Sequence, residues 1–184
     1  MSGFVLRLRQ KVGDWLNNLK GVEVPQSFKG PISEKKSILI LGDISTEAGK
    51  KEVQAVKREA RQMCPNAEVF ILGYGEETKQ LPISDKYEEY FSPKDLSFFF
   101  KMKSQRLASV LSKGYDLMIV ANGFDCERLN YVAKYAVASL RVGRAGTILD
   151  ANGLLNFVIE SKSGDDRISE KVRSCLQMVF ETKK

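Results

Sequence analysis

The sequence predicts an α/β domain, a three-layer Rossmann-like or flavodoxin-like arrangement around a mostly parallel five-stranded sheet, with an extra amphipathic helix at the amino terminus. Three observations carry this. The apolar run at 37–41 lacks the alternation of a half-exposed strand, as expected of a strand covered on both faces, and 68–72 and 115–121 read as further strands rich in apolar residues. Segments with helical periodicity lie between the runs. The length of 184 residues and an apolar fraction of 43% suit one domain with a core of ordinary size.

Residues 4–20 read as an amphipathic helix. At about 100° per residue, Phe4, Val5, Leu8, Val12, Trp15, Leu16 and Leu19 share one stripe, with Arg9 and Lys20 on one flank and Lys11 on the other. Gly21 is a stop signal. Pro25, Gly30 and Pro31 mark a linker. The chain thus divides into a helix over 1–21, a linker over 22–35 and one domain over 36–182.

The first strand, 37–41, runs into a turn at 42–46 whose Gly42 suits tight backbone and whose Asp43, Ser45 and Thr46 suit helix capping. A helix at 47–63 turns Val53, Val56, Ala60 and Met63 inward and ends before Pro65, and 68–72 is the second strand. Residues 73–100 lack a regular period but concentrate Tyr87, Tyr90, Phe91, Phe98, Phe99 and Phe100. Within them, Ser92, Pro93 and Asp95 have the spacing of a helix start. A helix at 103–113 precedes the central strand 115–121, which exits through Asn122, Gly123, Phe124 and Asp125. A helix at 127–138, short strands at 140–142 and 154–159, and a last helix at 166–181 complete the pattern. Helices between strands imply right-handed crossovers, and the spacing fits a strand order of 2-1-3-4-5.

Charge and composition exclude several functions. The net charge is +6, but residues 1–36 hold seven Lys and Arg against three acids, so the basic character belongs mainly to the amino-terminal segment. A domain built to coat nucleic acid has a broad basic face instead, so nucleic acid is not an expected partner. The chain has no His, which removes His-dependent nucleophile systems and the commonest metal ligand. Cys64, Cys126 and Cys175 are widely spaced and odd in number, which suggests neither a disulfide framework nor a zinc site. No cofactor or metal is expected. With no secretory leader and no spanning apolar run, the expected compartment is the reducing cytoplasm, with peripheral contact at the inner membrane if the first helix lies on lipid.

At Phe91–Phe98, Tyr115–Val120 and Ser139–Gly143 the sequence resembles a family of small Bacteroidota-type α/β proteins without established activity, over most of residues 36–182. A weaker resemblance, carried by Tyr115-Asp116-Leu117 and Arg141-Val142-Gly143, is to the amino-terminal Rossmann-like half of the heptosyltransferase-like glycosyltransferases. That resemblance implies the fold and not the activity, because those enzymes bind the sugar nucleotide mainly with a second domain.

Three regions are candidate sites. Ligands of open α/β sheets sit at the carboxyl edge, where strand order reverses. Asp43, Ser45, Thr46, Asn122, Asp125 and Arg144 would line such a site for a nucleotide or phosphorylated metabolite, but the same residue types serve as plain turn and capping groups. On the first helix, Phe4, Leu8, Val12, Trp15, Leu16 and Leu19 form a surface for a protein partner or a membrane, or else fold back onto the domain. The aromatic cluster at 87–100 reads as a satellite core, with a protein interface or base stacking as alternatives. Cys126 lies near a helix amino terminus, where thiolate formation is eased. The expected function is a non-enzymatic binding or scaffold module acting through the first helix. The alternative is a small enzyme or ligand-binding protein acting at the sheet edge.

Overall fold

The apolar runs become the middle of one sheet. In the computed structural model, which describes residues 3–18, 37–77, 86–122, 126–160 and 168–181, the elements in chain order are α1 (Gly3–Asn18), β1 (Ser37–Asp43), α2 (Glu47–Met63), β2 (Glu68–Tyr74), β3 (Glu88–Phe91), α3 (Gln105–Ser112), β4 (Tyr115–Val120), α4 (Glu127–Ala133), β5 (Ala138–Arg144), α5 (Ile148–Ala151), β6 (Phe157–Ile159) and α6 (Ser169–Glu181). The expected linker at 22–35, Leu19, Asp125 and the residues at 163–166 that were expected to open the last helix lie outside the described residues.

Six strands form one sheet in the order β3-β2-β1-β4-β5-β6, and every neighbouring pair is parallel. This corrects the expected five strands in the order 2-1-3-4-5. The five expected strands are present in that relative order, but β3 adds a sixth outside β2. Its sequence, Glu-Glu-Tyr-Phe, opens with two acids and is only four residues long. Glu88 is held by Lys57 and by the Tyr90 hydroxyl, and Glu89 by Arg106, so tertiary ion pairs make a strand of a segment whose propensity argues against one.

Ile38, Leu39, Ile40 and Leu41 of β1, and Leu117, Met118 and Ile119 of β4, are fully buried, so side chains pointing to both faces of the sheet are covered. Right-handed crossovers place α2 on one face and α3 and α4 on the other. α6 returns to pack on α2. Glu52 of α2 is buried there and accepts from the backbone N–H of Ile168 and Ser169, both at 2.7 Å, and from the Ser169 hydroxyl at 3.0 Å. A carboxylate from one helix thus satisfies the first turn of another, at the end that favours negative charge. Ser92, Pro93 and Asp95 form a capping box as expected, but on a 3-10 turn over Pro93–Asp95 separate from α3. No helix among the described residues is long and apolar enough to cross a membrane.

Candidate functional site

The turn chemistry at the carboxyl edge is taken up by the fold. Asn122, at the exit of β4, accepts from the Asp43 N–H at 2.7 Å and donates to the carbonyls of Asp43 at 3.0 Å and Gly49 at 3.2 Å. One amide therefore joins the end of β1, the end of β4 and the first turn of α2. Asp43 accepts from the Ser45 N–H, Thr46 caps α2 by accepting from the Gly49 N–H at 3.0 Å, and the Ser45 hydroxyl accepts from the Glu76 N–H at 3.3 Å. A Cβ on Gly49 would collide with the Asp43 carbonyl oxygen, so the helix start is pressed against the strand end. The structure brings Asp43, Ser45, Thr46 and Asn122 together, each with a local structural duty. Arg144 is the last residue of β5, two strands from Asp43 in the sheet, and Asp125 is outside the described residues.

The amino-terminal helix is docked, by a face that the apolar stripe does not include. Arg9, Gln10 and Gly13 are buried and Leu6 packs against the core, whereas Val5, Leu8 and Trp15 are exposed by 40%, 52% and 61%. Gly13 sets the approach. A Cβ there would fall within the radius of the Phe99 carbonyl oxygen and lie 2.8 Å from the Tyr131 hydroxyl, so the helix backbone rests directly on its seat. Glycine inside a helix costs about 1 kcal/mol of helix propensity, which this contact offsets.

Two charged side chains flank that contact. The Asp14 carboxylate accepts from the hydroxyls of Tyr131 at 2.8 Å and Tyr135 at 2.6 Å and pairs with Lys134 at 2.6 Å. Burial, with the neighbouring Tyr135 hydroxyl and the Asp14 carboxylate, holds the Tyr131 hydroxyl well above its usual pKa. On the other flank Arg9 donates from Nε to the Phe98 carbonyl at 3.0 Å, and its guanidinium lies 4.2 Å from the centre of the Phe98 ring and 4.9 Å from that of Phe100. Phe100 has φ of 61°, a left-handed conformation costly for a bulky residue, and its buried ring is 4.8 Å from that of Tyr131. The aromatic cluster is therefore divided. Tyr90, Phe91 and Phe100 are core, while Phe98, 65% exposed, and Phe99 face outward beside α1.

The outward side of α1 and the Phe98–Phe99 turn hold five of the six exposed large apolar side chains among the described residues, Val158 being the sixth. Of the expected surface residues, Leu8 and Trp15 point out and Val12 and Leu16 are half-buried. Leu19 and the side chain of Phe4 lie outside the described residues. Arg9, Gly13 and Asp14 were missed as docking residues. The signals for them were a glycine and an acid inside a helical period. Cys126 departs from its expectation, since burial pushes its thiol up to about 11, away from thiolate formation. Among the described residues no cluster of three or more acids or cysteines has the arrangement of a metal site.

Comparison with known proteins adds a family and little more. The model of a family described as of unknown function, DUF6913, matches residues 12–170. This agrees with the resemblance to a family without established activity, and nothing in the comparisons supports the glycosyltransferase resemblance. No curated protein matches the chain. A solved structure from Bacteroides thetaiotaomicron, described as a putative epimerase, aligns at 19% identity over 82% of this chain and 67% of its own, with a TM-score of 0.31.

Proposed function

We propose that this chain, which belongs to the DUF6913 family of unknown function, is a binding module that engages a protein partner through the outward ridge of α1 and the adjoining Phe98–Phe99 turn. The observation that carries this reading is that α1 docks through Arg9, Gln10 and Gly13 and leaves Val5, Leu8 and Trp15 of its apolar stripe in solvent. A helix stabilised only by folding back would bury that stripe. Val5, Leu8, Val12 and Trp15 follow one another at intervals of three, four and three residues, the spacing of a seam between two helices. Trp, Phe and Arg are also the residue types that dominate the energetics of protein interfaces, and here Arg9 bridges the ridge to Phe98. The fit is to a partner offering an apolar helix face or groove.

The test uses the full chain with Leu8→Glu and Trp15→Glu, alone and together. Both positions are exposed, so the thermal midpoint should stay within about 2 °C of the parent. Crosslinking in the source cells followed by affinity recovery should return a partner with the parent chain. The double variant should lose at least about tenfold of that recovery. Equal recovery from both would overturn the reading. So would co-sedimentation of the parent, but not the variant, with phosphatidylglycerol vesicles, which would move the ridge to a membrane surface.

A further inference from the structure

We propose a second site, independent of the ridge, in the cleft between α1, α4 and the α5–β6 connection, and infer that it takes an organic phosphomonoester. The cleft has a volume of about 620 Å³ and is lined by Arg7, Gln10, Lys11 and Asp14 of α1 together with Lys134, Tyr131 and Leu149 of the domain. That size suits a small metabolite. Gln10 is the informative residue. It is only 8% exposed, lines the cleft, and its amide has no hydrogen-bond partner among the described residues. Its amide is not among the sealed, unpaired polar atoms and so reaches the open space of the cleft. The phosphate oxygens of a ligand in the cleft would accept from the Gln10 Nε2 amide group.

Charge selects the class. Arg7 and Lys11 make no ion pair among the described residues, while Lys134 is paired with Asp14. Three cations against one carboxylate leave the cleft with an excess of two positive charges, the complement of a phosphomonoester dianion rather than of a single carboxylate. Tyr131 and Leu149 give the wall an apolar part for the organic portion of such a molecule. The ridge residues Leu8 and Trp15 do not line the cleft, so the two proposals fail or stand separately.

The experiment is isothermal titration of the full chain with phenyl phosphate, phenyl sulfate and inorganic phosphate at about pH 7.5, where the phosphate ester is mostly the dianion. Phenyl phosphate should bind most tightly. The sulfate ester, with one charge fewer, should bind about tenfold more weakly, and inorganic phosphate, without the ring, should also be weaker. Arg7→Ala with Lys11→Ala should cost about tenfold or more in affinity for phenyl phosphate. Gln10→Leu should lower affinity with an unchanged or raised thermal midpoint, which separates loss of a ligand contact from loss of fold. Absence of binding at millimolar phenyl phosphate overturns the proposal. Equal affinity for the two esters, or unchanged affinity in the variants, does the same.

Discussion

The β1–β4 switch point and the underside of α1 are built from the same kinds of residue, an amide, an acid, a hydroxyl and a close-packed glycine, yet they differ in what they leave over. At the switch point the Asn122 amide is spent on Asp43 and Gly49, Thr46 on the start of α2, and Asp43 on Ser45. Beneath α1, Asp14 and Arg9 are engaged, but the Gln10 amide and the cations Arg7 and Lys11 are not paired among the described residues. Residue type at a strand-to-helix turn therefore says little about function. Spare hydrogen-bonding and charge capacity in a concave place says more, because the fold has no use for it.

The largest effect expected of this contrast is at the switch point. Asn122→Ala leaves the Asp43 N–H without its partner, at about 1–3 kcal/mol where it stays buried, and removes a donor from each of the Asp43 and Gly49 carbonyls. A total loss of about 2–4 kcal/mol corresponds to a fall in thermal midpoint of roughly 2–4 °C per kcal/mol for a chain of this size. Denaturant unfolding should show one cooperative transition moved as a whole. A midpoint within about 2 °C of the parent would mean that Asn122 is not a structural latch, and would reopen the sheet edge as a ligand site.

The next effect is local. Gly13→Ala improves helix propensity by about 1 kcal/mol, but forces a methyl group against the Phe99 carbonyl and the Tyr131 hydroxyl. Overpacking costs about 1–3 kcal/mol, here concentrated on one docked helix. Hydrogen exchange should quicken across residues 3–18 and leave the strands β1 and β4 protected. A helix as protected as in the parent would show that α1 does not rest on its seat through Gly13.

The sequence made the sheet readable because the middles of β1, β2 and β4 are covered on both faces and are apolar there. β3 escaped notice because Glu88 and Glu89 pair with residues distant in sequence, Lys57 and Arg106. The amphipathic stripe on α1 was equally legible, but its direction was not. Periodicity reports that a helix has two faces and assumes that the apolar one is buried. Here a glycine permitting backbone contact and two charged anchors reversed the assignment, and those depend on Phe98, Tyr131 and Tyr135, about 85 to 120 residues further along the chain. The cleft holding Gln10 exists only once α1 is docked, so no local pattern announces it.

A smaller effect is expected at the Asp14 anchor. Asp14→Asn preserves shape and can still accept from the tyrosine hydroxyls, but it loses the charge that faces Lys134. Charge-assisted hydrogen bonds exceed neutral ones by about 1 kcal/mol, and partial exposure reduces the difference further. The variant should quicken exchange in α1 less than Gly13→Ala does. The gap between parent and variant should narrow as salt is raised from about 0.05 to 0.5 M. A gap that does not respond to salt would assign the anchor to packing rather than charge.

The smallest effect, and the one that ties the seat of α1 to a single proton, is at Tyr131. Its folded pKa lies above the unfolded value of about 10, chiefly through burial and then through Tyr135 and Asp14. The unfolded chain therefore loses this proton first. The stability that Tyr131 contributes is fully present below pH 10 and declines as pH rises from there toward the folded pKa. Tyr115, pushed up to about 12 by burial alone, behaves alike but lies away from α1. Absorbance at 295 nm should thus show both tyrosines resisting titration in the parent. If docking of α1 is what seals Tyr131, Gly13→Ala should return about one tyrosine to ordinary titration, and Tyr131→Phe in the same background should remove that gain. Asn122→Ala, which loosens the other region while leaving α1 seated, should not produce it. Superimposable curves for the parent and Gly13→Ala would mean that the domain interior alone buries Tyr131, with α1 resting on a seat already closed.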